Sequence, residues 1–233
     1  MIAFFIPFFF VFLSPGIILA LYFSFKEKID LLQLILQIVI FGLAFQLALA
    51  ILFIPIGDFT YNPPVTFFLL TACLLIITII FTKAFNPNWW INNLKKINLS
   101  WYDFFTIIII GVLFISFYLQ ISNLENPYFN TGDDKYQLLA LAKHFTYKPS
   151  LVFYNQMINR FYSQGMALIL APYTLLLDDS LKNLQQLIIN WQYFFYAFYV
   201  IALAQLGKKF LTTTYLGLLT PYYSLIYFGT TIT

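Results

Sequence analysis

Charge is what this chain has least of. Of its 233 residues, 12 are Lys or Arg and 9 are Asp or Glu, so 9% are charged against 61% hydrophobic. A soluble domain carries about 25% charged residues, because its surface must meet water. The shortage excludes a soluble globular domain and leaves lipid to face most of the chain. The net charge of +3 is small and spread out, with no basic patch of the kind that nucleic-acid binding needs. There is one cysteine, Cys73, inside an apolar run, which excludes disulfides and thiolate metal sites. The single histidine, His144, excludes His-rich metal sites and bis-His haem bundles. No Lys or Arg precedes the first apolar run, as a secretory signal peptide requires, so residues 1–15 are expected to remain as a helix. No internal repeat is visible, so a solenoid is not suggested.

What is present is apolar sequence in helix-length pieces. A hydrocarbon core of ~30 Å takes about 20 apolar residues per helix. Seven segments come close: residues 2–25, 31–54, 65–81, 104–121, 166–177 (short), 187–206 and 210–228. Pro7 and Ser14-Pro15-Gly16 predict a kink in the first. Gln33, Gln37 and Gln46 in the second are expected to bond to neighbouring helices. The predicted fold is all-α: a polytopic transmembrane bundle of about seven helices with one long outer loop carrying short amphipathic helices. It divides into a four-helix membrane region (1–121), the outer loop (122–165) and three further helices (166–233).

Orientation follows from lysine in the short loops, since Lys and Arg collect on the cytoplasmic side. Lys26 and Lys28 follow the first helix, and Lys83, Lys95 and Lys96 follow the third, while residues 55–64 have neither Lys nor Arg. This places the lysine-bearing loops in the cytoplasm and the N-terminus outside. Lys182 agrees; Lys208 and Lys209 fall on the outer side and disagree. Trp89, Trp90 and Trp101 flank the basic loop as interfacial anchors. The plasma (inner) membrane is the expected location, with residues 122–165 on the outer face of the cell envelope.

That loop concentrates the polar groups. It contains Gly132-Asp133-Asp134-Lys135-Tyr136 and then a stretch to Phe145 with helical spacing. Asp133 and Asp134 suit a helix N-terminus as caps. They are also the one adjacent pair of carboxylates on the predicted outer face, next to the hydrocarbon, where charge is costly and tends to be functional. Asp178-Asp179, on the predicted cytoplasmic side, reads as a loop and helix start. Residues 154–164 form a polar and aromatic run with Arg160, the only arginine in the chain. Its planar fork suits a phosphate; the other reading is a snorkelling interfacial residue.

In this order (a helix leaving the membrane, an acidic turn, an amphipathic helix, an aromatic-polar run and a Pro-containing helix) the chain resembles the first outer loop of the GT-C superfamily of membrane glycosyltransferases. That group includes the protein O-mannosyltransferases and bacterial transferases that use polyprenyl-phosphate sugars. The likeness covers residues 118–233. It implies inverting transfer of a sugar from a polyprenyl-phosphate donor to an acceptor hydroxyl on the outer face. Asp133 would be the general base and Asp134 a second acid, and the pair would be ligands to a divalent metal, Mg or Mn, if one is used. Lys143, His144 and Arg160 are candidate phosphate contacts by their chemistry, and Tyr136 and Tyr162 candidate substrate contacts. The implied partners are the bilayer and the sugar-lipid. Two departures stand out: four helices precede the acidic loop where the family usually has one, and the chain stops near the seventh segment. A truncated or inactive relative is therefore the expectation beside an active one. From a different class, a non-catalytic polytopic subunit of a membrane complex would use Asp133 and Asp134 for docking to a protein partner. A transporter is disfavoured, because no charged residue lies in mid-helix and no broken helices recur in matching halves.

Overall fold

The computed structural model describes residues 7–24, 28–57, 62–122, 169–170, 173–174 and 181–210. The described residues are mostly helical. A π-helical stretch, Phe8–Leu13, runs without a break into α1, Ser14–Phe23. Pro15 accounts for the wide turns: its ring crowds the carbonyl one turn back and it has no N–H to give. In π geometry the N–H of Ser14 reaches the carbonyl of Phe9 instead. The break expected at Ser14-Pro15-Gly16 is thus realised as a widened stretch inside a continuous helix.

α1 lies close against α2, Leu31–Gly57, because two glycines open the contact. A Cβ on Gly42 would sit 2.7 Å from the Phe12 carbonyl oxygen, and one on Gly16 would collide with the carbonyl of Ile38. Near the other end of α1 the Ser24 hydroxyl donates to Gln37 Oε1 at 2.5 Å. α3, Pro63–Thr82, begins on two prolines behind an Asn62 cap and ends at Lys83, whose φ of 60° is left-handed. A short helix absent from the sequence expectation, α4 (Pro87–Leu94), follows behind its Asn86 cap. β1, Ile29–Asp30, then pairs in parallel with β2, Ile97–Asn98, in the register Ile29 to Ile97. This two-residue pair is a local departure from all-α. α5 (Trp101–Ser122) and α6 (Leu181–Phe210) complete the described helices.

Two stretches are long and apolar enough to cross a membrane: Leu31–Phe53 in α2 (23 residues, mean hydropathy 2.5) and Pro64–Thr82 in α3 (19 residues, mean hydropathy 2.6). The α3 stretch is only 17% buried within the chain, and Leu69, Ile76, Ile77 and Ile80 stand exposed along it. The main core gathers on Trp191, fully buried among Phe12, Val39, Ile169, Leu170 and Tyr173. Edge-on rings of Phe12, Tyr173 and Phe194 surround the indole.

The direction of α6 corrects the expected topology. Tyr102, in the first turn of α5, donates its hydroxyl to the carbonyl of Ala204 at 3.0 Å, and Leu32, at the start of α2, packs in the same cluster. Trp191, earlier in α6, packs instead against Val39 and Phe12. α6 therefore runs antiparallel to both α2 and α5, and α5 ends on the side where α6 begins. Lys208 lies at the end that carries Lys28, Lys83, Lys95 and Lys96, not at the opposite end as the loop count implied, and Lys182 goes to the far side. The loop count had taken residues 166–177 as a separate crossing, and most of that stretch lies outside the described residues. Of these, the described Ile169, Leu170, Tyr173 and Thr174 are buried, the first three in the Trp191 core. The acidic turn, the predicted amphipathic helix at 138–145 and residues 211–228 of the last expected segment fall outside the described residues, so the three-part division stays a sequence reading.

Candidate functional site

Among the described residues the polar chemistry concentrates where the lysines gather. Asp30 closes β1, so the pairing of Ile29 with Ile97 and of Asp30 with Asn98 sets its position. Asp103 lies in the first turn of α5, where negative charge suits the helix dipole, and its N–H donates to Ser100 Oγ at 3.2 Å. Lys208 reaches in from the last turn of α6, the end that suits a cation. Its ammonium donates to Asp30 Oδ2 at 2.9 Å and to Asp103 Oδ1 at 3.0 Å.

The three side chains differ in solvation: Asp103 is 0% exposed, Lys208 23% and Asp30 30%. The Tyr102 ring lies beneath the ammonium, 5.6 Å from centroid to Nζ, adding a cation–π contact. Asn98 Nδ2 supports Asp30 Oδ1 at 3.4 Å. Among the described residues the formal balance is two carboxylates against one ammonium, and the buried Asp103 Oδ2 has no hydrogen-bond partner. Such a carboxylate cannot meet a substrate. Its chemistry here is a clamp that ties the starts of α2 and α5 to the end of α6.

A second polar contact lies deeper. Gln46 is fully buried, and its Nε2 donates to the carbonyl of Ile169. With Gln37 on Ser24, this gives two of the three glutamines of α2 the cross-linking role expected of them.

The residues singled out from sequence as candidates for chemistry (Asp133, Asp134, Tyr136, Lys143, His144, Arg160 and Tyr162) lie outside the described residues. Among the described residues no group of three His, Cys, Asp or Glu is placed to hold a metal. Sequence reasoning missed the Asp30–Lys208–Asp103 clamp, although a signal was present. Asp30 and Asp103 are the only acids of residues 29–57 and 101–122, and each stands at the start of an apolar helix. Lone charges at that depth call for a counter-charge. No protein-family model, curated protein or solved structure matches the chain.

Proposed function

We propose that the chain is a polytopic membrane glycosyltransferase that moves a sugar from a polyprenyl-phosphate donor to an acceptor hydroxyl on the outer face. The observation that carries the reading is topological. α5 ends and α6 begins on the same side of the bundle, opposite the clamp formed by Asp30, Asp103 and Lys208. The described chain leaves the bundle at Ser122 on that side and resumes at Ile169 in the Trp191 core, and Asp133, Asp134 and Arg160 belong to the residues between them. Lysine collects at the other end, which by the positive-inside rule faces the cytoplasm. If the acidic motif extends to the outer face, as this reading takes it to, it stands where a transferase using a lipid-linked sugar needs its base.

In this reading Asp133 accepts the proton of the acceptor hydroxyl while its oxygen attacks the anomeric carbon. The bond from that carbon to the phosphate oxygen breaks, and the configuration inverts. Arg160, Lys143 and His144 stabilise the departing lipid phosphate, and Asp134 is the second acid or a ligand to Mg or Mn. Tyr136 and Tyr162 line the substrate. The apolar lengths of α2 and α3 and the exposure of α3 support insertion in a membrane.

The test is transfer from polyprenyl-phosphate sugars by membranes that contain the chain. Asp133→Asn is expected to lower the rate by about 10²–10⁴-fold, the usual contribution of a general base, with unchanged amounts of protein in the membrane. Full transfer by both Asp133→Asn and Asp134→Asn would refute the assignment.

A further inference from the structure

The surface of α4 divides in three. At 3.6 residues per turn, Trp89, Trp90 and Asn93 share one side of Pro87–Leu94. The bundle holds that side: Trp89 and Trp90 pack against Ala20, Leu21, Ile29 and Leu34, and Trp90 Nε1 donates to the carbonyl of Ala84 at 2.7 Å. Asn93, buried between the two indoles in the helical order, donates to the carbonyl of Trp89 at 2.9 Å. The rest of the helix is exposed, and it is not uniform. Pro87, Ile91 and Leu94 form one strip on the Trp90 side, with Ile91 50% and Leu94 52% exposed. Asn88 and Asn92 form a second strip on the Trp89 side, and Lys95 extends the polar half.

Water gives an exposed apolar strip nothing, and hydrocarbon leaves carboxamides without partners. A free side split lengthwise into an apolar and a polar half fits an axis lying along the boundary between the two media. The level in the bundle agrees. The apolar stretch of α3 ends at Thr82 and α5 begins at Trp101, so α4 lies where the membrane-spanning length gives out. Leu99 and Trp101, just after it, are 73% and 76% exposed. Charge at this level has one sign. Lys83 and Lys95 are exposed and form no ion pair among the described residues, and the described acids of the same end, Asp30 and Asp103, are taken by Lys208.

We propose that α4 is an interfacial helix that seats the lysine-bearing end of the bundle on an anionic lipid leaflet. Pro87, Ile91 and Leu94 enter the acyl boundary, Asn88 and Asn92 face water, and Lys83 and Lys95 meet lipid phosphates from the two ends of the helix. The partner is the charged leaflet as a surface, not a headgroup held in a pocket. The inference rests on the membrane reading but not on sugar transfer, and neither Asp133 nor Asp134 enters it.

The experiment uses the full chain, with Cys73→Ala, in lipid discs. Nitroxide labels are attached one at a time through Asn88→Cys, Ile91→Cys, Asn92→Cys and Leu94→Cys, all at exposed positions. Labels at 91 and 94 are expected to collide more with dissolved oxygen, which concentrates in lipid, and labels at 88 and 92 more with a water-soluble nickel chelate. Equal behaviour of the two pairs would overturn the proposal, as would labels at 91 and 94 shielded from both reagents, the sign of a covering protein. Hydrogen exchange reads the anionic partner. Amides of residues 88–94 are expected to exchange more slowly in phosphatidylglycerol discs than in phosphatidylcholine discs. Lys83→Gln and Lys95→Gln should each return about fivefold of that slowing, the effect of one lysine near an anionic surface. Equal exchange in both lipids, or full slowing in the doubly substituted chain, would also overturn it. A label on the exposed side of α3, through Ile77→Cys, checks the premise separately: collision there with nickel rather than oxygen would refute the membrane reading itself.

Discussion

Lys208 is the place to test whether the described architecture depends on its charge clamp. Lys208→Met keeps most of the stem and removes the ammonium, so Asp103 loses the one donor its Oδ1 has, in a site 0% exposed to solvent. Stripping the counter-charge from a buried partner costs ~3–5 kcal/mol. The low end applies, because Lys208 is itself 23% exposed; the arm to Asp30, 30% exposed, adds no more than ~1 kcal/mol once solvent screening is counted. The expected loss is therefore about 3 kcal/mol. Asp103→Leu, which leaves Lys208 its contact with Asp30, should cost about 1 kcal/mol. The double variant should cost little more than Asp103→Leu alone, a coupling of ~2–3 kcal/mol in a double-mutant cycle. Reversible unfolding in mixed micelles, followed by the fluorescence of tryptophan, measures all three. Additive single effects, or a loss from Lys208→Met no larger than from the exposed Lys95→Met, would refute the clamp.

Two further outcomes follow from packing and topology. Gly16→Ala and Gly42→Ala place a methyl group against backbone carbonyls and are each expected to destabilise the chain by about 1–3 kcal/mol. Gly111→Ala, where a Cβ meets nothing within 4 Å, is expected to gain about 0.5–1 kcal/mol; the same micelle unfolding reads both, and a loss at Gly111 would contradict the open space beside it. In a Cys73→Ala background, single cysteines at positions 28, 95 and 208 should take a membrane-impermeant maleimide from one side of sealed vesicles, and a cysteine at 182 from the other. Labelling of 182 with the first group would return the topology to the loop count.

Much of the helical layout was legible because periodicity and apolar length carry it. The expected helices at 31–54, 65–81 and 104–121 lie within α2, α3 and α5, which run a few residues further at their ends. Asn62 with Pro63, and Ser100 before Trp101, start α3 and α5 ahead of their apolar runs, a capping effect that hydropathy does not register. α4 escaped notice because Asn86, Asn88, Asn92 and Asn93 dilute its apolar signal; the Asn86 cap and Pro87 were the readable marks of its start. The direction of α6 was not legible, since it rests on contacts between residues far apart in the sequence, which apolar length does not register. Lys208 does decide it, through an ion pair with residues more than a hundred positions earlier. The acidic turn at Asp133 and Asp134 remains a sequence reading, because the structure describes none of its residues.

The sequence distance spanned by the clamp also has a consequence in time. Asp103 and Lys208 are 105 residues apart. At roughly 5–20 residues per second of synthesis, the ribosome needs about 5–20 s to make the partner that neutralises Asp103. During that interval the start of α5 holds a carboxylate without the ammonium of Lys208, so it must stay at the water boundary. The β1–β2 pair, with both strands made before Asp103, is what can keep it near Asp30 while it waits. Settling of Asp103 into its buried place is then a late event in assembly, set by the arrival of the last turn of α6.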